Sequence, residues 1–467
     1  MYVFQFMGRC ATLMLVFVTR DTIFTKTSVF AFTTWPNVPN NFIMKSPMPF
    51  QSQSTTQSNW KKSTSEIENL VTLNVASSTH FELGDFVKVV DAKQSMKETK
   101  YNKETTKPPP ISSANPEDDF TREIRKSWPL WVQNKLLRDS GLLRCIVDNI
   151  LTPFVLVPST FKQRPNLFFK FLQLSLFQTK KIAYGSHPLQ TMDLVTNNKY
   201  NLREDPLITK NLVIVVHGGA YGFGRPWLYR LASLFLLNRS KSNETHVAVV
   251  GYRTYPDGFA TDQVQDLDRA ISTLLDASEC IPYKHVAIVG HSSGSHIALL
   301  TIFRRLQRQI DSITTSNENI YDIGLDTFIG LSGISCVSSH YQFEKGRGLD
   351  QISPVAPACG LTDEKFLELS SGHIWEKMLS TMKQRQIDFN QIKIPSMLFL
   401  HGIEDDTVPY SATVELMKKL IPSSKTIHKI QAKLLEDVNH TDTINHFVYG
   451  GPSLDISLDW IENSKKE

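Results

Sequence analysis

The chain has 467 residues, a formal net charge of +4, and 21% charged against 41% hydrophobic residues. So small a positive excess, with no clustered run of lysine and arginine, argues against a nucleic-acid groove and gives no nucleic-acid partner. Arg304-Arg305 and Lys418-Lys419 read as solvated helix faces. The length exceeds one ordinary domain, so a single core with appended segments is expected.

Five cysteines, Cys10, Cys145, Cys280, Cys336 and Cys359, are odd in number and lack Cys-x-x-Cys spacing. Each reads as a buried, inert thiol. With no His-Glu-x-x-His or aspartate-rich calcium loop, no metal and no cofactor is inferred.

In chain order, residues 1–31 carry Arg9, then an apolar run from Cys10 to Val18, with Asp21 as the one acid. That run is too short to span a bilayer and reads as a signal-peptide-like targeting segment. Residues 32–118 are rich in Ser, Thr, Asn, Gln and Lys and close with Pro108-Pro109-Pro110. They offer too little apolar surface to offset chain entropy, so a disordered, transit-peptide-like linker is expected.

Residues 119–180 turn aromatic and aliphatic, with Trp128, Trp131, Leu136, Leu142, Ile146, Phe168, Phe171, Leu174 and Leu176. The spacing predicts about three short helices. Two readings stay open, a cap with peripheral membrane contact or an extension packed on the body; Arg144 and Asp148 interrupt the apolar run and favour packing.

Residues 181–467 alternate strand and helix patterns, the mark of an α/β fold with a doubly wound, mostly parallel sheet. Strands are predicted at 181–184, 192–195, 212–216, 247–252, 286–289, 328–331, 397–400 and 430–434. Helices are predicted at 228–237, 262–277, 296–309, 365–369 and 412–420.

Two loops in this part carry chemistry. Gly290-His291-Ser292-Ser293-Gly294 follows one buried-strand run and precedes a helix, as a nucleophile elbow requires. Gly-x-Ser-x-Gly alone arises by chance in roughly one chain in six of this length, so it needs a second signal. His217-Gly218-Gly219-Ala220 supplies it, ending another strand where backbone N–H groups can face a developing oxyanion. His217 and His291 read as braces for the backbone rather than proton carriers.

At these residues the chain resembles the α/β-hydrolase superfamily, and within it the esterases with an HGG-type oxyanion loop: hormone-sensitive-lipase-like carboxylesterases and prenylcysteine methylesterases. The likeness begins at Tyr184-Gly185, passes through Gly251-Tyr252-Arg253-Thr254-Tyr255-Pro256, and reaches His401-Gly402-Ile403-Glu404-Asp405 and His440-Thr441-Asp442. Many members carry Asp before the Tyr-Arg pair and a third Gly in the loop, where this chain has Gly251 and Ala220.

The resemblance implies an eight-stranded α/β-hydrolase sheet with Ser292 as nucleophile, Asp405 as acid and His440 as base. Backbone N–H groups of Gly219, Ala220 and Ser293 would form the oxyanion hole, with Gly218 shaping it. Glu404 and Asp406 are the alternative acids and His446 the alternative base. The implied activity is a serine carboxylic-ester hydrolase that forms an acyl-enzyme on a small or lipid-like ester.

Prenylcysteine methylesterase and kynurenine-formamidase-like amidase are the alternatives within that chemistry. A catalytically silent binding protein on the same fold is the rival, and it is disfavoured because every triad position is filled. Residues 339–348 with Ser353-Pro354 resemble an insertion that walls the pocket in prenylcysteine methylesterases. Ala31-Phe32 resembles the junction of two-part plastid presequences, which implies entry into the secretory route and delivery to a plastid.

Overall fold

Eight runs of β-branched and aliphatic residues form one sheet: β1 Thr179–Ala183, β2 Thr191–Val195, β3 Lys210–Val216, β4 Thr245–Val250, β5 Tyr283–His291, β6 Thr327–Leu331, β7 Ser396–Gly402 and β8 Ile430–Leu435. The computed structural model describes residues 135–149, 165–196, 210–239, 245–276, 283–314, 320–421 and 430–464. The targeting segment and linker expected at 1–31 and 32–118 lie outside the described residues, as does the first part of 119–180.

Strand order is β1-β2-β4-β3-β5-β6-β7-β8. β2 is antiparallel to β1 and β4, and all other pairs are parallel. Parallel strands covered on both faces need side chains that bury both ways. β3 shows this: Leu212, Ile214 and Val216 enter one core, while Val213 and Val215 enter the other.

The first core is covered by α5 Ala260–Asp276 and α6 Ser293–Thr314, the second by α4 Pro226–Arg239, α12 His440–Tyr449 and α13 Pro452–Ser464. In α5, Val264, Leu267, Ile271 and Leu274 repeat at helical spacing and are buried together. Gly290 pairs with Val216 and Gly330, and Leu331 with Leu400, so the carboxyl ends of the central strands share one edge. Ligand sites in open α/β sheets gather at that edge.

All eight predicted strands are present, and the fold is the mostly parallel, doubly wound α/β architecture expected. The solvated reading of Arg305 is corrected. Its side chain is 2% exposed and pairs with Asp268 at 2.8 Å, while its Nη atoms donate to the Ile323 and Asp268 carbonyls and to Ser272 Oγ. A buried guanidinium persists only when it is paired with a carboxylate and hydrogen-bonded as here. The uniform burial expected of the cysteines also fails: Cys359 is buried, but Cys145 and Cys336 are half-buried free thiols.

Before the sheet come α1 Lys135–Asp139, α2 Leu142–Ile146 and α3 Pro165–Phe177. The polar residues that broke the apolar run attach this region to the sheet body. Arg144 donates to the Thr254 carbonyl at 2.9 Å and pairs with Asp257 at 2.8 Å. Asp148 accepts the Gly224 N–H at 3.1 Å and pairs with Arg225 at 3.2 Å. Arg138 reaches the carbonyls of Gln351 and Ser353.

On α3, Leu174 joins the second core and Ser175 accepts from Arg230, while Phe169 and Leu176 face outward. Among the described residues no helix is long and apolar enough to cross a membrane.

After β6 the chain forms α7 Val337–Gly346, α8 Val355–Ala358, α9 Asp363–Leu369 and α10 Ser371–Gln384. After β7 comes α11 Ser411–Leu420.

Candidate active site

β5 ends at His291 and α6 begins at Ser293, which leaves Ser292 alone in the turn with φ 55°. A left-handed conformation is costly for a residue with a side chain, and it persists here because the surroundings fix it. The Ser292 N–H donates to Leu331 O at 2.9 Å, and its carbonyl accepts from Ser295 and His296. A Cβ on Gly290 would stand 2.6 Å from Ser295 Cα, and one on Gly294 would stand 2.2 Å from His217 O. The two glycines therefore allow backbone contacts that no side chain would permit.

The loop after β3 is a tight turn. Gly219 has φ 135° and Ala220 φ 50°, and the Gly219 carbonyl accepts from Gly222 and Phe223 at 3.0 and 2.8 Å. A Cβ on Gly218 would meet Ser292 Cβ at 3.0 Å, so this loop lies against the serine. The Gly218 N–H donates to Tyr229 Oη at 3.1 Å. Among the described residues, no acceptor engages the N–H groups of Gly219, Ala220 or Ser293.

His217 stacks on Tyr252 with ring centroids 4.3 Å apart, and the Tyr252 hydroxyl donates to the His217 carbonyl at 2.6 Å. Burial lowers the His217 pKa to about 4, so its ring is a neutral brace at ordinary pH.

The loops after β7 and β8 are stitched together. Ile403 and Glu404 donate backbone hydrogen bonds to Leu435 and Val438, and a Cβ on Gly402 would fall 2.1 Å from Val438 O. Asp405 is buried. Its Oδ1 accepts the N–H groups of Thr407 and Val408 at 3.0 and 2.8 Å. Its Oδ2 faces His440 Nδ1 at 2.8 Å and His401 Nε2 at 3.4 Å.

Burial alone would raise the Asp405 pKa. The hydrogen bonds from His401 and His440 outweigh it and hold the carboxyl far below the usual range. His401 is itself fixed by the Val408 carbonyl at 2.9 Å and by Thr413 Oγ1 at 2.8 Å. A carbonyl only accepts, so His401 carries its proton on Nε2, the nitrogen that also faces Asp405.

His440 follows β8 and is the first residue of α12. Asn439 caps that helix by accepting the Asp442 N–H at 2.9 Å. The cap fixes where the helix starts and hence where the imidazole begins. The His440 ring lies 4.8 Å from that of His291, the residue before the serine.

The structure thus gathers Ser292, Asp405, His440 and the loop 217–220 at one sheet edge. The rival acids Glu404 and Asp406 are exposed on the same loop. His446 lies farther along α12 against Gly451, its buried Nδ1 unpartnered. The segment 339–348 falls mostly in α7, and Pro354 would meet a Cβ on Gly222 at 2.5 Å, which places it beside the loop after β3.

Sequence reasoning gave no role to His401, although it stood in a quoted motif, or to Tyr229, which reads as one more apolar position on its helix. Among the described residues no group of three His, Cys, Asp or Glu side chains is arranged to hold a metal ion.

The BD-FAE family matches residues 203–420, a span that includes the loop 217–220, the turn at Ser292 and Asp405 and stops short of His440. A probable isoprenylcysteine α-carbonyl methylesterase of Arabidopsis thaliana is 24% identical over 300 residues, covering 62% of this chain and 55% of its own length. One of Oryza sativa subsp. japonica is 24% identical over 272 residues, covering 56% and 58%. The chain spans little more than half the length of these relatives. Among solved structures, esterase B of Lactobacillus rhamnosis is 16% identical with a TM-score of 0.47, over 66% of this chain and 93% of that one.

Proposed function

This chain belongs to the α/β-hydrolase esterase family, and from that premise we propose that it cleaves carboxylic esters with Ser292 as nucleophile, His440 as base and Asp405 as its orienting acid. The observation that carries the reading is the 2.8 Å contact from Asp405 Oδ2 to His440 Nδ1, with the other carboxylate oxygen saturated by two backbone N–H groups. Asp405 then holds the proton of His440 on Nδ1 and leaves Nε2 free to receive one.

Ser292 attacks the ester carbonyl as His440 takes its proton. The tetrahedral oxyanion forms against the N–H groups of Gly219, Ala220 and Ser293, each donor worth roughly 2.7–4 kcal/mol in a comparable site. His440 returns the proton to the departing alcohol. Water then cleaves the acyl-enzyme by the same steps in reverse order, giving acid and free Ser292.

The substrate class we propose is a small or lipid-like ester. The names of the relatives favour the α-carboxyl methyl ester of an S-prenylated cysteine, which would yield the free carboxylate and methanol. The outward Phe169 and Leu176 of α3 support peripheral membrane contact for so apolar a substrate. Vesicle co-sedimentation that survives serine at both positions would remove that element.

The catalytic test is labelling of the folded protein with a fluorophosphonate, followed by turnover of an acyl-chain-length series, an S-prenylcysteine methyl ester and an aryl formamide. Absence of label on Ser292 would sink the enzyme reading in favour of a silent binding protein. Turnover of the formamide alone would make it an amidase.

A further inference from the structure

The oxyanion loop and the general base come from opposite ends of the catalytic segment, yet they must keep a fixed spacing around one carbonyl carbon. A chain of three hydrogen bonds joins them. The Gly218 N–H donates to Tyr229 Oη at 3.1 Å. Tyr229 Oη lies 3.0 Å from His291 Nδ1. His291 Nε2 lies 3.4 Å from the backbone carbonyl of His440, the longest of the three links.

Elementary donor and acceptor rules give the chain one direction. The His440 carbonyl can only accept, so His291 carries a proton on Nε2. Burial, with the adjacent His440, lowers the His291 pKa to about 3, so the ring is neutral and Nδ1 is a bare acceptor. Only the Tyr229 hydroxyl can fill that acceptor, and burial pushes its pKa up to about 12, which keeps its proton in place. The hydroxyl oxygen then offers a lone pair to the Gly218 N–H. Every donor in the series has one acceptor, whereas moving the His291 proton to Nδ1 would leave a bare Nε2 facing the His440 carbonyl, two acceptors with no proton between them.

We propose that Tyr229 and His291 are positioning residues that hold the oxyanion loop and His440 in mutual register through this single hydrogen-bond chain. The inference rests on the reading of Ser292, His440 and Asp405 as the catalytic triad. Gly218 directly precedes the donors Gly219 and Ala220, and the His440 carbonyl belongs to the same residue as the imidazole. Displacement of either end by a fraction of an ångström changes the attack geometry without touching the substrate pocket. The loss should therefore appear in kcat rather than KM.

The test uses the full chain and a chromogenic short-chain ester. Tyr229→Phe keeps the aromatic ring and removes both hydroxyl links at once. It should lower kcat about tenfold, leave KM within about twofold, and slow fluorophosphonate labelling of Ser292 in parallel. His291→Phe should do the same, and His291→Gln, which retains an N–H donor toward the His440 carbonyl, should recover most of the loss. Because the two residues act as one chain, the double Phe variant should be no slower than the slower single variant.

Wild-type kcat in Tyr229→Phe, or a double variant about a hundredfold down as the product of independent losses, would overturn the proposal. His291→Gln as slow as His291→Phe would overturn it too. Ser292→Ala and His440→Ala separate this from the underlying reading. Turnover in either defeats the triad itself, whereas their silence beside fully active Tyr229→Phe defeats the positioning chain alone.

Discussion

Replacing Asp405 by asparagine changes one atom and forces a choice that the geometry decides. Oδ1 accepts two backbone N–H groups and Oδ2 faces two imidazole nitrogens. An asparagine has only one oxygen to serve both sides. If its NH2 turned toward Thr407 and Val408, two backbone donors would lose their acceptor, at about 1–3 kcal/mol for the buried Val408 N–H. The oxygen therefore stays with the backbone, and the NH2 meets His440 Nδ1. That nitrogen must then accept, so the imidazole proton moves to Nε2, the atom that in the proposed mechanism receives the proton of Ser292.

The expected loss in kcat is about 10⁴-fold, or about 5.5 kcal/mol of transition-state stabilisation, while the backbone of the loop is preserved. Steady-state hydrolysis of a p-nitrophenyl ester, with calorimetry to show a cooperative unfolding transition, measures both. Glu404→Gln and Asp406→Asn remove equal charge from exposed neighbours and should stay within about twofold of wild type. Asp405→Asn within tenfold of wild type, or a large loss in either control, would refute the reasoning.

Gly294→Ala would set a Cβ 2.2 Å from the His217 carbonyl, against backbone that cannot swing away; turnover should fall at least about a hundredfold with about 1–3 kcal/mol of lost stability, whereas Gly346→Ala, which meets nothing within 4 Å, should leave both unchanged. His440→Ala should lose about four or more orders of magnitude in kcat, and His446→Ala should lose little; the reverse pattern would show the base has been misassigned. The Asp405 pKa is lowered on folding, so its contribution to stability is complete above the unfolded carboxylate value of about 3.9 and is lost as pH falls through the folded value. The gap in melting temperature between wild type and Asp405→Asn should therefore narrow below about pH 4. His217 and His296 stay neutral down to about pH 4 and His291 to about pH 3; the unfolded chain takes up these protons first, so melting temperature should drop on acidification from about pH 6.5 to 4.

Much of this molecule was legible because its strands and its reactive turns depend on local rules. Val286 to Val289 reads as a strand because both faces are apolar, and Gly290 and Gly294 read as an elbow because only glycine tolerates such contact. Polar partnerships across long sequence distance were not legible. Arg305 is buried because Asp268 and the Ile323 carbonyl meet it, and nothing in the local pattern distinguishes it from the neighbouring Arg304, which is exposed. His440 follows the last strand, and the Asn439 cap makes it the start of a helix that was not among those predicted. Tyr229 carries no local signal for its role, since its partners Gly218 and His291 belong to two other elements.

The attachments made by Arg138, Arg144 and Asp148 bear on where the autonomous unit of this chain begins. An expression boundary drawn at residue 165, where α3 starts, would strip Asp148 from the Gly224 N–H and from Arg225. It would also return the carbonyls of Thr254 and Ser353 to solvent. Gly224 closes the turn that carries Gly219 and Ala220, so such a truncation would loosen the proposed oxyanion loop while leaving the sheet to assemble. A shortened enzyme could then give the circular dichroism of a folded protein and almost none of its activity. Truncation there is expected to uncouple folding from function, with the smallest active fragment longer than the smallest folded one.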